Sequence, residues 1–352
     1  MNNIRIYLLI LSIGFFACSR KGTMNIQMLH PSPVTIGQHI KTVALVNRAM
    51  TEKNKKNQIE AIVTLEGINQ DKQGIQKSLE GLNSILIQSP RLKGELTTIQ
   101  MTGSPDGKTF LPALSWDSIN YICKEYNADA VVAIESFDTD CIITHQIGQI
   151  SVNNQFGVPI PTPRIYATQK VIVNIGFRIY DPSNQSLVDQ HTFTFERLWN
   201  ANAGTIAEAL ASLANRQMAI NQTCFEAGIA YGRRISPMWV YERRMYYKRA
   251  YNEDMRIAGR EALVGDWKNA VERWKRVIDL PGRRKLHGKA AFNLALACEV
   301  AGDLQGAQEW IKKAYGQYNN KKARYYMYDI QRRIRDFQML DQQMNNNQNS
   351  ED

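Results

Sequence analysis

A short phrase occurs twice, thirty-seven positions apart, and it confines the C-terminal part of the chain to paired helices. Gly265-Asp266-Trp267-Lys268-Asn269-Ala270 is followed by Trp274 and Val277. Gly302-Asp303-Leu304-Gln305-Gly306-Ala307 is followed by Ile311 and Ala314. A glycine at the turn lets one helix end and the next begin at once. Small Ala270 and Ala307 let the paired helices approach closely, and Trp274 and Ile311, one turn on, fill the space between neighbours. Pro281 ends the second helix of the first pair. Asn293-Leu294-Ala295 precedes the second glycine, as the first helix of such a pair should. Each pair buries its apolar face only on a neighbour. Helices over about 239–250 and 321–340 are therefore expected to cap the stack.

This pattern resembles the tetratricopeptide repeat. The resemblance implies an all-α repeat domain over residues 236–341, whose surface binds other proteins. The tail from 342 to 352, rich in Asn and Gln, is expected to be disordered.

The rest of the chain reads differently. Ile40-Lys41-Thr42-Val43-Ala44-Leu45-Val46-Asn47 has the character of a buried strand. Apolar residues at Ile75, Leu79, Leu82, Ile85 and Leu86 keep a helical period, and Pro90 closes that segment. A strand at about 94–101 and a helix from Ser115 to about Tyr126 lead into a second buried strand around Ala130-Val131-Val132-Ala133-Ile134. Residues 142–166, with Pro159, Pro161 and Pro163, read as a long irregular connection. Val171, Val173, Ile175, Phe177 and Ile179 then alternate along one face. Asp181-Pro182-Ser183-Asn184 turns the chain, and a returning strand and a helix at about 203–234 complete an α+β layer with a mixed sheet.

The α+β domain is expected over residues 36–235. With Asn127-Ala128-Asp129-Ala130-Val131-Val132-Ala133-Ile134 and the hairpin around Asp181, residues from about 40 to 200 resemble a periplasmic domain. CsgG-type curli secretion lipoproteins, LpoB-type activators of penicillin-binding proteins and the TolB amino-terminal domain share it. The family commonly has Gly where this chain has Asn127 and Ile134. The resemblance implies the fold; its members do different jobs. In CsgG-like pores an insertion in this domain crosses the membrane. Such a strand needs about 9–11 residues of clean alternation, and 142–166 does not sustain one.

At the N-terminus, Arg5 precedes an apolar run over residues 6–16, then Ala17 and Cys18. A bilayer-spanning helix needs about 20 residues, so the run suits a signal-peptide core ending in a lipoprotein cleavage box. Phe15 stands where such boxes usually carry Leu. Residues 1–17 are accordingly expected to be removed, Cys18 to be acylated with palmitate, and 18–35 to form a tether. Ser19 after the cysteine fits sorting to a periplasm-facing outer-membrane position.

The chain carries a formal net charge of +10, unevenly placed. Residues 31–200 hold 15 basic and 16 acidic side chains; residues 201–352 hold 25 and 17. Outside the cytoplasm such a surface fits an acidic protein or an anionic envelope polymer or lipid, and nucleic acid is not expected. Trp239, Arg243, Arg244 and Tyr247 lie in the basic, aromatic stretch that opens this half and are the candidate protein-binding residues.

Catalytic signatures are lacking. Thr102-Gly103-Ser104-Pro105-Asp106-Gly107-Lys108-Thr109 only superficially resembles a phosphate loop, since Phe110-Leu111-Pro112 cannot open the helix such a loop needs. Asp138-Thr139-Asp140 reads as solvated strand-end charge. The five histidines have no metal-ligand spacing, and no cofactor is expected. A Cys123–Cys141 disulfide is open to an envelope protein, although Cys123 and Cys298 sit in apolar helical patterns that suit buried thiols. The sequence thus points to a lipid-anchored, non-enzymatic protein-binding adaptor of envelope assembly or secretion. A CsgG-like pore subunit is the alternative.

Overall fold

The computed structural model describes residues 21–50, 70–104, 106–248, 250 and 252–344. Cys18 and the expected signal segment lie outside the described residues, as does the tail beyond 344. The chain divides into two compact units. One joins the residues up to Met28 with Val240–Gln338; the other joins Leu29–Trp239 with the residues from Met339 on.

The α+β unit is built on a five-stranded mixed sheet. Its strands are β2 (Thr42–Met50), β3 (Lys93–Thr102), β4 (Ala130–Asn153), β5 (Pro159–Asp181) and β6 (Ser186–Ala203), ordered β3-β2-β4-β5-β6. β2 runs parallel to β3 and β4, while β4, β5 and β6 form an antiparallel meander. Helix α1 (Gln70–Gln88) lies on one face with α4 (Arg216–Ile235), and α2 (Trp116–Glu125) lies on the other. A short α3 (Ile206–Ala211), closed by a Thr205–Glu208 capping box, follows β6. β6 runs on to Ala203, and the expected single helix at 203–234 is two helices, interrupted at 212–215.

The anticipated alternation is realised. Val171, Val173, Ile175, Phe177 and Ile179 all pack beneath α1 and α4, with Ile75, Leu79, Leu82 and Leu86 above them. The opposite face buries Ala44, Val46, Val131, Ala133 and Tyr180 against Ile119 and Ile122 of α2. Cys123 belongs to this second layer and Cys141 packs against the first, so the sheet separates them. All four described cysteines are free thiols. Burial is the main cause that raises Cys123 and Cys298 to about 11.

Helices α1 and α4 touch through small residues. A Cβ placed on Gly228 would overlap the Ser78 carbonyl oxygen, and one on Gly81 would overlap that of Phe225. The Ser78 hydroxyl donates to the Cys224 carbonyl across the same seam, at 3.0 Å. Gly228→Ala improves intrinsic helix propensity by about 1 kcal/mol, yet it forces two backbones apart. A net loss of about 1–3 kcal/mol is expected, read as a lower thermal midpoint. An unchanged or raised midpoint would show that the seam can relax.

Further expectations are overturned. Residues 142–166 are not irregular. β4 and β5 pair continuously from Val131↔Tyr180 to Asn153↔Pro159, broken only by a bulge at Glu135 and joined by a turn at 154–158. Pro159, Pro161 and Pro163 share one parity, so their nitrogens fall on one edge of β5. β6 pairs with β5 only up to Ile165↔Ala203, leaving that edge unpaired where the prolines sit. Prolines taken as strand breakers are instead edge blockers.

Nor is 18–35 a tether in its described part. Lys21–His30 is strand β1, paired with β7 (Met238–Tyr247) in a two-stranded sheet. Ile26 and Met28 alternate inward with a period of two, and Met24 packs beside them. The helix expected at 239–250 is therefore largely strand. The division at Trp239 and the assignment of β1 to the helical unit also replace the expected boundaries at 35 and 235.

The helical unit continues with α5 (Glu253–Leu263), α6 (Trp267–Asp279), α7 (Arg284–Val300), α8 (Leu304–Gly316) and α9 (Ala323–Met344). The repeated phrase does what its chemistry implies. Gly265 and Gly302 sit at φ +83° and +79°, in the left-handed region open to glycine. Asp266 and Asp303 cap the helices that follow, each accepting from an amide three residues on. Ala270, Trp274, Val277, Ala307, Ile311 and Ala314 are all buried in one core. α9 extends to Met344, and the Gln343 side chain donates to the Ser32 carbonyl and accepts from its amide, at 2.8 and 3.0 Å. The first residues of the expected disordered tail are thus ordered helix.

Candidate interaction surfaces

Two buried ionic networks absorb much of the polar chemistry inside the protein. In the α+β unit, the bulge at Glu135 turns its carboxylate toward Arg48 and Arg178. Arg48 Nη1 lies 2.7 Å from Glu135 Oε2, Arg178 Nη1 lies 3.6 Å away, and the Tyr180 hydroxyl donates to Glu135 Oε1. Burial, followed by the bond to Glu135, raises the Tyr180 hydroxyl above its usual range. The two arginines also grip the loop after β3: Arg48 donates to the Pro112 carbonyl and Arg178 to that of Leu111. In the same loop Asp106 accepts from the amides of Lys108 and Thr109, which with the Ser104 hydroxyl holds its carboxyl below the usual range. A carboxylate from the chain itself thus occupies donors that a phosphate would need.

The helical unit holds the counterpart. Arg244 on β7 donates to both oxygens of Glu299 on α7 and to Glu242, and the Tyr326 hydroxyl donates to Glu299. Burial works against the Arg244 charge, but the bonds to Glu299 and Glu242 outweigh it and push the guanidinium above its usual range.

This network corrects part of the candidate binding set. β7 alternates, with Trp239 and Arg243 exposed and Arg244 buried. Tyr247, at the strand's end, is buried too. Its amide donates to Asn293 Oδ1, Asn293 Nδ2 donates back to its carbonyl, and its hydroxyl donates to Asn320. Arg244 and Tyr247 hold β7 to the helices and offer no free surface. A strand, unlike the expected helix, sends neighbours 243 and 244 to opposite sides.

Among the described residues, no cluster of three His, Cys, Asp or Glu side chains could hold a metal ion. Thr139 is buried between Gln70 and Asp71, and Asp138 faces Lys108 at 3.3 Å. A polar hollow of about 430 Å³ lies between Asn47, Lys72, Gln76 and Gln100.

The exposed surfaces of the α+β unit are of two kinds. The outer β4–β5 hairpin has no Asp, Glu, Lys or Arg from 141 to 163, in a chain that is 22% charged. It exposes Ile147 (74%), Val152, Phe156 (80%), Val158 and Ile160. The second is a cavity of about 400 Å³ between β6 and α4, lined by Pro33, His191, Phe193, Ala230, Tyr231, Arg233 and Arg234. Phe177 stacks on Tyr231 at 3.9 Å, Phe193 lies 6.3 Å from Phe177, and His191 lies 5.7 Å from Phe193. Arg234 binds Asp189, whereas Arg233 is exposed.

Residues 40–247 match a family described as a domain of unknown function, DUF8603. The chain belongs to this family. The DUF8603 match takes in the five-stranded sheet, its helices and β7. Residues 256–339 match a second model, also described as a domain of unknown function, DUF6340, which covers the five-helix region almost entirely. No curated protein matches the chain. Among solved structures, the hypothetical protein CT253 from Chlamydia trachomatis is 14% identical, with a TM-score of 0.21, over 55% of this chain and 96% of that one.

Within the DUF8603 region the sequence reading missed the cavity and took the hairpin for an irregular connection or contact loop. The hairpin had a signal in the absence of charge from 141 to 163. The cavity had a weaker one in the aromatic alternation of His191, Phe193 and Phe195, while Arg233 and Tyr231 join it only through the fold.

Proposed function

We propose that the chain is a lipoprotein, anchored through Cys18 and facing the periplasm, that acts as a non-catalytic protein-binding adaptor in envelope assembly or secretion. The observation that carries this reading is the charge-free hairpin. Apolar side chains left in water at this density mark a contact surface rather than ordinary exterior. The helical unit supports it, since we read its two Gly-Asp helix pairs as tetratricopeptide-like, an architecture that presents binding faces. Trp239 and Arg243, outward on β7, remain candidate contact residues. Both ionic networks have internal partners for their charged groups, which favours scaffolding over chemistry.

A photo-crosslinking residue at position 156, in intact cells, tests the adaptor role. One dominant protein adduct, lost when Cys18→Ala removes the anchor, is the expected outcome; no adduct would sink the reading. Palmitate incorporation must also vanish in Cys18→Ala, and retained label would refute the anchor.

The regular hairpin also favours a second reading, a subunit of a CsgG-like pore. Its arms over 143–153 and 159–169 have the eleven residues that a membrane strand uses. Ring-shaped oligomers in detergent would support it, and a monomer there would exclude it.

A further inference from the structure

β6 is the outer strand of the five-stranded sheet. β5 pairs with one side of it, and among the described residues no strand takes the other. Its 18 residues therefore hold a row of unpaired backbone donors and acceptors toward solvent. Some protections usual on such an edge are lacking, although Asp189, Glu196 and Arg197 lie along it. From 186 to 203 there is no Pro, Gly or Lys, and the register is unbroken from Asp189 to Ala203. The contrast with β5 is internal to the same sheet, since three prolines block that strand's free end.

The cavity lies beside this edge. His191 and Phe193, on the helix side of β6, form one wall; Tyr231 and Arg233 of α4 form the other. Side chains of a strand added to β6 would alternate across the sheet, and every second one would face this wall. Arg233 has no ionic partner among the described residues, unlike Arg234 and Arg197, which are bound to Asp189 and Glu226.

We propose that β6 accepts an extended segment of a partner protein as a sixth strand of the sheet. An apolar side chain of that segment enters the His191–Phe193–Tyr231 cavity, and an acidic side chain on the same face meets Arg233. Main-chain bonds supply affinity and the cavity supplies selectivity, as in other strand-addition sites. The inference rests on the adaptor reading and names its docking edge and the chemistry of its partner.

The test is selection of a displayed random 12-residue peptide library on the full chain. Alternating apolar sequences with an Asp or Glu should be enriched. The best peptide, synthesised with a fluorophore, should slow hydrogen exchange at alternate β6 amides. Arg233→Glu should weaken it roughly tenfold, and a peptide with its acid changed to Arg should regain binding to that variant. Failure to enrich any sequence, protection elsewhere than β6, or no charge-swap rescue would overturn the proposal. So would concentration-dependent dimers that protect β6 without peptide, because a second copy would then hold the edge. If crosslinking at position 156 finds a partner while these results are negative, the adaptor reading stands and strand addition alone falls.

Discussion

Glu135→Ala will cost the α+β unit about 3–5 kcal/mol, one of the largest losses available to a single substitution in this chain. Glu135 is 1% exposed, and among the described residues its carboxylate is the only acid in ion-pair contact with two nearly buried guanidinium groups. Removing it leaves Arg48 and Arg178 charged, desolvated and mutually repelling, because arginine does not shed its proton in proteins. The Tyr180 hydroxyl loses its acceptor at the same time. The damage spreads to the loop after β3, which both arginines hold through the Pro112 and Leu111 carbonyls. Phe110 in that loop packs under Arg178, 4.7 Å from guanidinium carbon to ring centre. A domain's whole stability is about 5–15 kcal/mol, so the urea midpoint should fall by one to several molar at a slope of about 1–3 kcal/mol per molar.

Glu135→Gln keeps the shape but not the charge and should fall in between. Replacing Arg48, Glu135 and Arg178 together with apolar residues of similar size should recover most of the loss, since the cost lies in breaking the set rather than lacking it. A loss under about 1 kcal/mol for Glu135→Ala would mean that water reaches the site and that the network does not pin the loop.

The sequence made this region legible only in part. The buried strand around Val131 was plain from its apolar run, and β2 and α1 were plain from theirs. Glu135, by contrast, carried no local sign of its place in the network. Its burial comes from a bulge and from arginines 87 positions back and 43 positions on, in neighbouring strands. No local pattern carries that information. The long hairpin failed for a different reason. Prolines usually end strands, and their tolerance depends on which edge of β5 lacks a partner, a fact about β6 some forty residues away. β1 failed because its polar residues alternate with apolar ones over too short a span to stand out beside the apolar run at 6–16. The Gly-Asp turns succeeded because their meaning is local: a left-handed glycine, a side-chain cap, then small and large residues one turn apart.

The same locality separates Arg243 from Arg244, neighbours that composition treats alike. Arg243→Glu, on the exposed side of β7, should leave the melting temperature within the range of about 0.5 kcal/mol typical of surface changes. Arg244→Glu should cost the helical unit about 3–5 kcal/mol or more. It sets a new carboxylate beside Glu299, which is itself nearly free of solvent, and beside Glu242. It also strips Glu299 of the Arg244 guanidinium that donates to both its oxygens, while the Tyr326 hydroxyl still donates to it. Raising the pH cannot rescue the variant, because both carboxylates are then ionised. Lowering it should recover part of the loss as one of the crowded pair takes up a proton. Thermal unfolding of the two variants at neutral and mildly acidic pH decides the matter. Equal midpoints for Arg243→Glu and Arg244→Glu would place Arg244 at the surface and return it to the set of contact residues. A wide gap that narrows in acid would identify it as the cation that binds β7 to the helices.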